Sequence, residues 1–371
     1  SVITWGASAY GGDSSAVSSQ LSSGVIKVYG TSSAFAALKS DGSVVTWGNS
    51  STGGDSSSVA SQLSSGVSRI FPSQGAFAAL KTDGSVVTWG QSGNGGDSSD
   101  VAPSLTSGVI EIFASCTAFA ALKSDGSVVA WGNYWGGGDS SNVSASLTSG
   151  VVRVFSTWDA FAALKSDGSV VTWGYDYSGG DSSGVAASLT SGVVRVFGSP
   201  EAFAALKSDG SVVVWGGTNA SSVAGSLTSG VVRVFTNRYA FAALKTDGTV
   251  VTWGTAAYGG SSTGVNFNLP GGVPRIAPIA SQTISRNTST SAIPLAFLND
   301  SALASPKVIT VTTDNEALFP NPSSGLASSG GSHSLTLTPA AGRFGAASVT
   351  VSVEQGGGKP PVSMTFYVIV Q

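Results

Sequence analysis

The feature that most constrains this chain is a recurring segment, A-F-A-A-L-K-S-D-G-S-V-V-T-W-G, seen in full at residues 34–48. Its tryptophan recurs at Trp5, Trp47, Trp89, Trp131, Trp173, Trp215 and Trp253, at intervals of 42 residues five times and then 38. Its phenylalanine recurs at Phe35, Phe77, Phe119, Phe161, Phe203 and Phe241. A period of this length belongs to solenoids, propellers or arrays, because one small unit buries its apolar faces only against its neighbours. Inside the segment, Asp41-Gly42 separates two apolar runs. Asp-Gly favours the tight turn of a β-hairpin, so the spacing predicts one strand running out through A-F-A-A-L-K and one returning through S-V-V-T-W-G. Neither strand alternates cleanly between apolar and polar residues, which predicts burial on both faces. The seven tryptophans are therefore expected in the core.

Between hairpins each unit carries G-G-D-S-S, with its aspartate at Asp13, Asp55, Asp97, Asp139 and Asp181. Later repeats place Asn219 and Ser261 there. Asp, Asn and Ser interchange as helix N-caps but not as calcium ligands. Val17 and Leu21 follow with helical spacing and Gly24 stops the turn, so a capped helical turn is expected and a metal site is not. The next strand reads V-x-R-V-F, and its third position holds Lys27, Arg69, Glu111, Arg153, Arg195, Arg233 and Arg275. These side chains could ring a central channel. The reading favoured here pairs them with turn aspartates or extends them to the rim.

The pattern A-L-K-x-D-G-x-V-x-x-W-G, followed by S-G-V-x-x-V, resembles the repeat of the regulator of chromosome condensation (RCC1) propellers. It is closest to the short-repeat bacterial members, the β-lactamase-inhibitory propellers. The resemblance covers about residues 1–277 and implies an all-β, seven-bladed β-propeller closed by the N-terminal S-V-I-T-W-G strand. One departure stands out: seven W-G strands and seven V-x-R-V-F strands accompany only six A-F-A-A-L-K strands. The missing middle strand is expected to be supplied by residues 282–287 or by a neighbouring molecule, which would permit self-association by strand exchange, with a ring of six blades or another closure as the remaining alternative. From about Pro278 the period ends, and short alternating runs at 293–298, 307–313, 334–339, 347–353 and 363–370 suggest a β-sandwich. Residues 278–371 resemble bacterial immunoglobulin- or cadherin-like modules. Glu354-Gln355 replaces the usual acidic residue after the T-V-T-V-S-V-type strand, so calcium between modules is not expected.

Composition narrows function by exclusion. Charged residues are 10% of the chain and the net charge is −3, so there is no basic excess to neutralise a nucleic acid. No apolar run is long enough to span a membrane as a helix. Cys116 is the only cysteine and His333 the only histidine, so disulfides, cysteine-type metal clusters, zinc sites and a catalytic triad lack their parts. No cofactor and no enzymatic activity are expected. The chain opens on Ser1 inside a repeat, which reads as a mature or trimmed chain whose leader is gone, and hence an extracellular or cell-surface protein.

Two loops vary while their flanks stay constant, and variable loops on a rigid scaffold are where recognition resides. The loop after W-G carries Tyr10, Tyr134, Trp135, Tyr175, Tyr177 and Tyr258. The loop before A-F-A-A-L-K carries Trp158, Asp159, Glu201, Arg238 and Tyr239. Tyr and Trp are enriched at binding hot spots, so these eleven residues are the candidate partner-binding set. The expectation is a non-enzymatic structural or adhesive surface protein, such as a self-assembling fibre or sheath subunit, that binds a protein or glycan surface. A lectin and a secreted protein inhibitor of an enzyme are the alternatives.

Overall fold

The structure is a computed structural model, and it describes residues 1–218, 220–263, 275–277, 279, 281–298, 303, 307–329, 331–355 and 359–370. Asn219 and Pro278, named above, lie outside these residues, as does the side chain of Arg275. The repeats form six three-stranded antiparallel sheets, spanning 25–48, 67–90, 109–132, 151–174, 193–216 and 231–254. The first sheet sets the pattern: Val25–Gly30, Ala34–Lys39 and Val44–Gly48, paired in that order. Phe35 lies opposite Trp47 and Leu38 opposite Val44. The hairpin turn forms where Asp-Gly predicts it, with Gly42 at φ +78°. Asp41 Oδ1 accepts hydrogen bonds from the Ser43 backbone N–H at 2.9 Å and its hydroxyl at 2.7 Å.

Burial on both faces is seen in the middle strand. Ala76, Ala78 and Leu80 share a core with Phe119, Ala121 and Trp131 of the next sheet, while Phe77 and Ala79 pack with Ala34, Ala36 and Leu38 of the previous one. Sheets therefore stack face to face, and alanine is selected because the backbones approach closely. The third strand instead alternates buried and half-buried residues. Within a sheet the Phe and Trp rings stack, as for Phe119 and Trp131 at 5.3 Å. The indole N–H donates to a glycine carbonyl of the preceding repeat: Trp47 to Gly11, Trp89 to Gly53, Trp131 to Gly95 and Trp173 to Gly137, at 2.9–3.1 Å.

The G-G-D-S-S turn is tighter than expected. It is largely 3₁₀ in character, as in Ser15–Val17 and Ser99–Leu105. The aspartate sits one residue before the N-cap, and Asp97 Oδ1 accepts from the Ser99 N–H at 2.9 Å. This contact holds the Asp97 carboxyl below the usual aspartate range.

Two expectations fail at the N-terminus. Among the described residues Ser1–Gly6 forms no strand, and Trp5 is 85% and Ile3 81% exposed, so neither the expected strand nor a buried Trp5 is seen. The segment nevertheless follows a third-strand path. Val2 N–H donates to the Leu21 carbonyl at 3.0 Å, as Val44 does to Leu63, and Thr4 meets Ser14 at 2.8 Å, as Thr46 meets Ser56. Among the described residues no middle strand pairs with it, and so no phenylalanine stacks on Trp5.

Residues 282–287 do not supply that strand. Gln282–Ile284 pairs in parallel with 368–370, as the edge of a four-stranded sheet whose other members are 309–313, 345–353 and 362–370. A short ladder forms elsewhere instead: Arg275–Ile276 pairs with Phe297–Leu298. Its register, Arg275 opposite Leu298, repeats that of Lys27 opposite Leu38. A second sheet of three strands, 293–295, 332–335 and 326–329, shares one apolar core with the four-stranded sheet through Leu295, Leu335, Val349, Val351 and Phe366.

The chain packs as two compact units, Ser1–Ala163 with Val171–Gly184 and Pro200–Ala202, and the remainder to Gln371. The second unit runs across residue 277, where the sequence period ends. Within it, Val232 belongs to the same core as the C-terminal strands, and Arg195 donates to the Ser348 hydroxyl at 2.7 Å while lying over the Tyr367 ring. Among the described residues no helix is long and apolar enough to cross a membrane.

Candidate functional site

In every sheet the middle strand begins opposite the end of the third, since Ala34 faces Gly48. The two variable loops therefore emerge at the same end. A small polar residue four positions before each phenylalanine fastens them together: Ser73 donates to the Asn94 carbonyl, Ser115 to Gly136, Thr157 to Ser178 and Asn237 to Tyr258, at 2.8–3.0 Å. The series Thr31, Ser73, Ser115, Thr157, Ser199 and Asn237 was a legible signal for this, because only short hydrogen-bonding side chains occur there. Successive loops are joined as well. Backbone N–H groups of Ser32, Gln74, Cys116 and Trp158 donate to the carbonyls of Gln74, Cys116, Trp158 and Pro200, at 2.7–2.9 Å. Pro200 has no N–H to pass on, so the series ends with it.

At the loop ends of their sheets the candidate residues fall into two groups, one in each compact unit. Tyr134, Trp135 and Tyr175 form a row, Tyr134 edge-to-face with Trp135 at 5.1 Å and Trp135 with Tyr175 at 6.1 Å. Tyr134 and Trp135 are more than 60% exposed, and Tyr175 and Tyr177 are also exposed. Asn133 shapes the loop by accepting from the Trp135 N–H at 2.9 Å. Tyr239 and Tyr258 pair separately at 4.5 Å, with the Arg238 guanidinium over Tyr239 at 5.2 Å. Tyr10 is exposed and has no ring neighbour among the described residues. Trp158 and Asp159 are half-buried beside Cys116, and Glu201 is half-buried. Burial raises the Asp159 carboxyl above its ordinary value, and burial with the nearby Asp159 charge raises the Cys116 thiol.

The repeated charges find partners other than the turn aspartates. Arg69 pairs in bidentate fashion with Glu111, Nη1 to Oε2 at 2.7 Å, and not with a turn aspartate. Lys27, Arg69, Arg153 and Arg233 each lie over the aromatic ring two residues on, at 4.7–5.7 Å. The lysines after A-F-A-A-L reach main-chain carbonyls, Lys81 to Gln62 and Lys123 to Ser104, both at 2.9 Å. His333 does meet a serine, its Nδ1 lying 2.7 Å from Ser328 Oγ across a hairpin, and its ring meets Phe297 edge-on at 5.4 Å, but no acidic group joins the pair among the described residues.

These features define an all-β repeat protein, a series of three-stranded antiparallel units with a variable, aromatic loop end. No protein-family model matches the chain, and no curated protein matches it. Among solved structures, a chain in the complex of Kap60 with yeast RCC1 (Prp20) is 15% identical, with a TM-score of 0.37, covering 62% of this chain and 70% of its own. The computationally designed Ika8 protein is 14% identical with a TM-score of 0.29 over 62% of this chain and 70% of its own. BamB from Moraxella catarrhalis is 10% identical with a TM-score of 0.26 over 62% and 71%.

Proposed function

We propose that the protein is a non-enzymatic recognition protein of a bacterial surface or the extracellular space. Its scaffold is a propeller of RCC1-like repeats with seven blade positions, followed by an immunoglobulin-like module, and it binds a protein or glycan partner through the variable loop end. The observation that carries this reading is the exposed row Tyr134–Trp135–Tyr175, held on loops fastened from beneath by Ser115 and Thr157. Large aromatics exposed on a rigid base lose little entropy when they bind. The test is attachment of the labelled chain to bacterial and animal cell surfaces. Trp135→Ser with Tyr177→Ser should leave the melting temperature within a few degrees and abolish attachment. Undiminished attachment by the double variant, or none by the wild type, refutes the reading.

Self-association by strand exchange is a second reading, supported by the Ser1–Gly6 segment with Ile3 and Trp5 uncovered. A strand of the A-F-A-A-L-K type from a neighbouring copy would place its phenylalanine on Trp5. A peptide with the sequence of residues 34–42 should then shift Trp5 fluorescence, a change absent in Trp5→Phe. No difference between the two proteins eliminates this reading.

A further inference from the structure

Beside the aromatic row, in the first compact unit, an open groove of about 600 Å³ runs along the third strand of the third sheet. Its lining includes Asp97, Asp100, Ala130, Tyr134, Asp139 and Ser140. Asp100 and Tyr134 stand at positions that vary from unit to unit, whereas Ala130 replaces a threonine that most units keep, and the three line one groove. Asp100 stands where other units have Ser58, Asn142 and Gly184, and it is a carboxylate without a hydrogen bond among the described residues. Ala130 stands where Thr46, Thr88 and Thr172 hydrogen-bond to Ser56, Ser98 and Ser182 at 2.9–3.0 Å. The alanine therefore releases the Ser140 hydroxyl into the groove. Tyr134 adds an exposed ring at the mouth. Asp97 and Asp139 each accept a backbone N–H through Oδ1, from Ser99 and Ser141, and their other oxygens have no hydrogen bond among the described residues.

We infer that this groove binds a neutral saccharide chain, an inference that rests on the recognition reading above and names the ligand class. The carboxylates accept hydrogen bonds from sugar hydroxyls, and the Ser140 hydroxyl, which can donate or accept, matches a ligand whose groups do both. A hexose also presents an apolar C–H face, which Tyr134 covers, and Trp135 and Tyr175 continue the platform for further sugar rings. Three carboxylates around one groove repel an acidic glycan. A lysine-rich peptide would satisfy the carboxylates but leave Ser140 and the length of the aromatic row unused.

The test is calorimetry and array binding with linear hexasaccharides of glucose, mannose, galactose and N-acetylglucosamine, with hexalysine as the competing probe. At least one hexasaccharide should bind. Tyr134→Ala should weaken it about tenfold, the range of one lost stacking contact, and Asp100→Ser should weaken it less. Ala130→Thr, which restores the repeat and reclaims Ser140, should weaken binding while leaving the melting temperature unchanged or higher. Binding of hexalysine alone, of no hexasaccharide, or of a hexasaccharide equally by wild type, Tyr134→Ala and Ala130→Thr overturns the inference. Periodate and protease treatment of the target cells separates the two levels. Attachment that survives periodate but needs Trp135 and Tyr177 defeats the saccharide and keeps recognition, whereas no attachment at all defeats recognition.

Discussion

Two tryptophans at equivalent positions should respond unequally to the same substitution. Trp131 is 4% exposed, stacks on Phe119 at 5.3 Å and donates its indole N–H to the Gly95 carbonyl at 3.1 Å. Trp253 is 1% exposed and stacks on Phe241 at 5.2 Å, but its N–H has no acceptor among the described residues. The cause is in the sequence. The loop after Trp215 is four residues shorter, and Gly217 follows Gly216 directly. In longer repeats that glycine ends a helical turn with positive φ, +88° at Gly137 and +94° at Gly179, which carries its carbonyl to the indole. Replacement by Phe removes the same ring atoms at both sites, so the packing loss largely cancels between them. Trp131→Phe additionally strands the Gly95 carbonyl, costing about 1–3 kcal/mol, while Trp253→Phe removes a buried unsatisfied donor that itself costs about 1–3 kcal/mol. Trp131→Phe should therefore be the more destabilising by about 2 kcal/mol at least. Urea denaturation followed by circular dichroism, with amide exchange in 118–132 and 240–254 as a local readout, measures the difference. Equal losses at the two sites would refute the hydrogen-bond account.

Three further outcomes are expected. Asp97→Ala should cost about 0.5–1 kcal/mol, since one turn contact is lost, whereas Asp97→Asn keeps the acceptor for Ser99 and should be nearly silent in thermal melts. Acid should destabilise the repeats: hydrogen bonds from Ser43, Ser85, Ser127, Ser211 and Thr249 depress the carboxyls of Asp41, Asp83, Asp125, Asp209 and Asp247 in the fold. That stability is complete above the unfolded value near about pH 3.9 and is lost as pH falls through the lower folded values. A melting temperature flat from pH 6 to pH 2 would contradict it. Arg195→Gln loses the contact with Ser348 and the stacking on Tyr367, and should cost about 1–3 kcal/mol and speed proteolysis within 307–370. An unchanged cleavage rate would count against Arg195 holding those strands.

The repeat was legible because each of its parts has one physical solution. Asp-Gly could only turn, and A-F-A-A-L could only lie between two other sheets, since its alanines are buried on alternate sides against Leu, Phe and Trp. Failure came where a segment's partner lies outside the segment itself. S-V-I-T-W-G at residue 1 is nearly identical to S-V-V-T-W-G at 43, yet Trp5 is exposed and Trp47 buried, because burial depends on Phe35 and on the neighbouring Gly11. The strand filler was misplaced for a similar reason. Gln282–Ile284 has ordinary strand propensity and was taken by Val368–Val370, whereas Phe297–Leu298 matched the repeat register with only two residues.

The loop end shows the complementary lesson. Its aromatics could be named from sequence, since they break a repeat, but their grouping could not, because it depends on how far one loop leans toward the next. Trp135 meets Tyr175, 40 residues on, while Tyr10 meets no ring. The groove beside Tyr134 was hidden in a different way. Ala130 is an unremarkable strand alanine until Thr46, Thr88 and Thr172 are seen holding their serines. In a repeat protein the identical positions carry the fold, so a residue that departs from them without disturbing the fold is free to serve something else. Ala130 gives up a threonine contact that most units keep, Asp100 and Tyr134 stand at positions free to vary, and all three line one groove, which a bound ligand would explain.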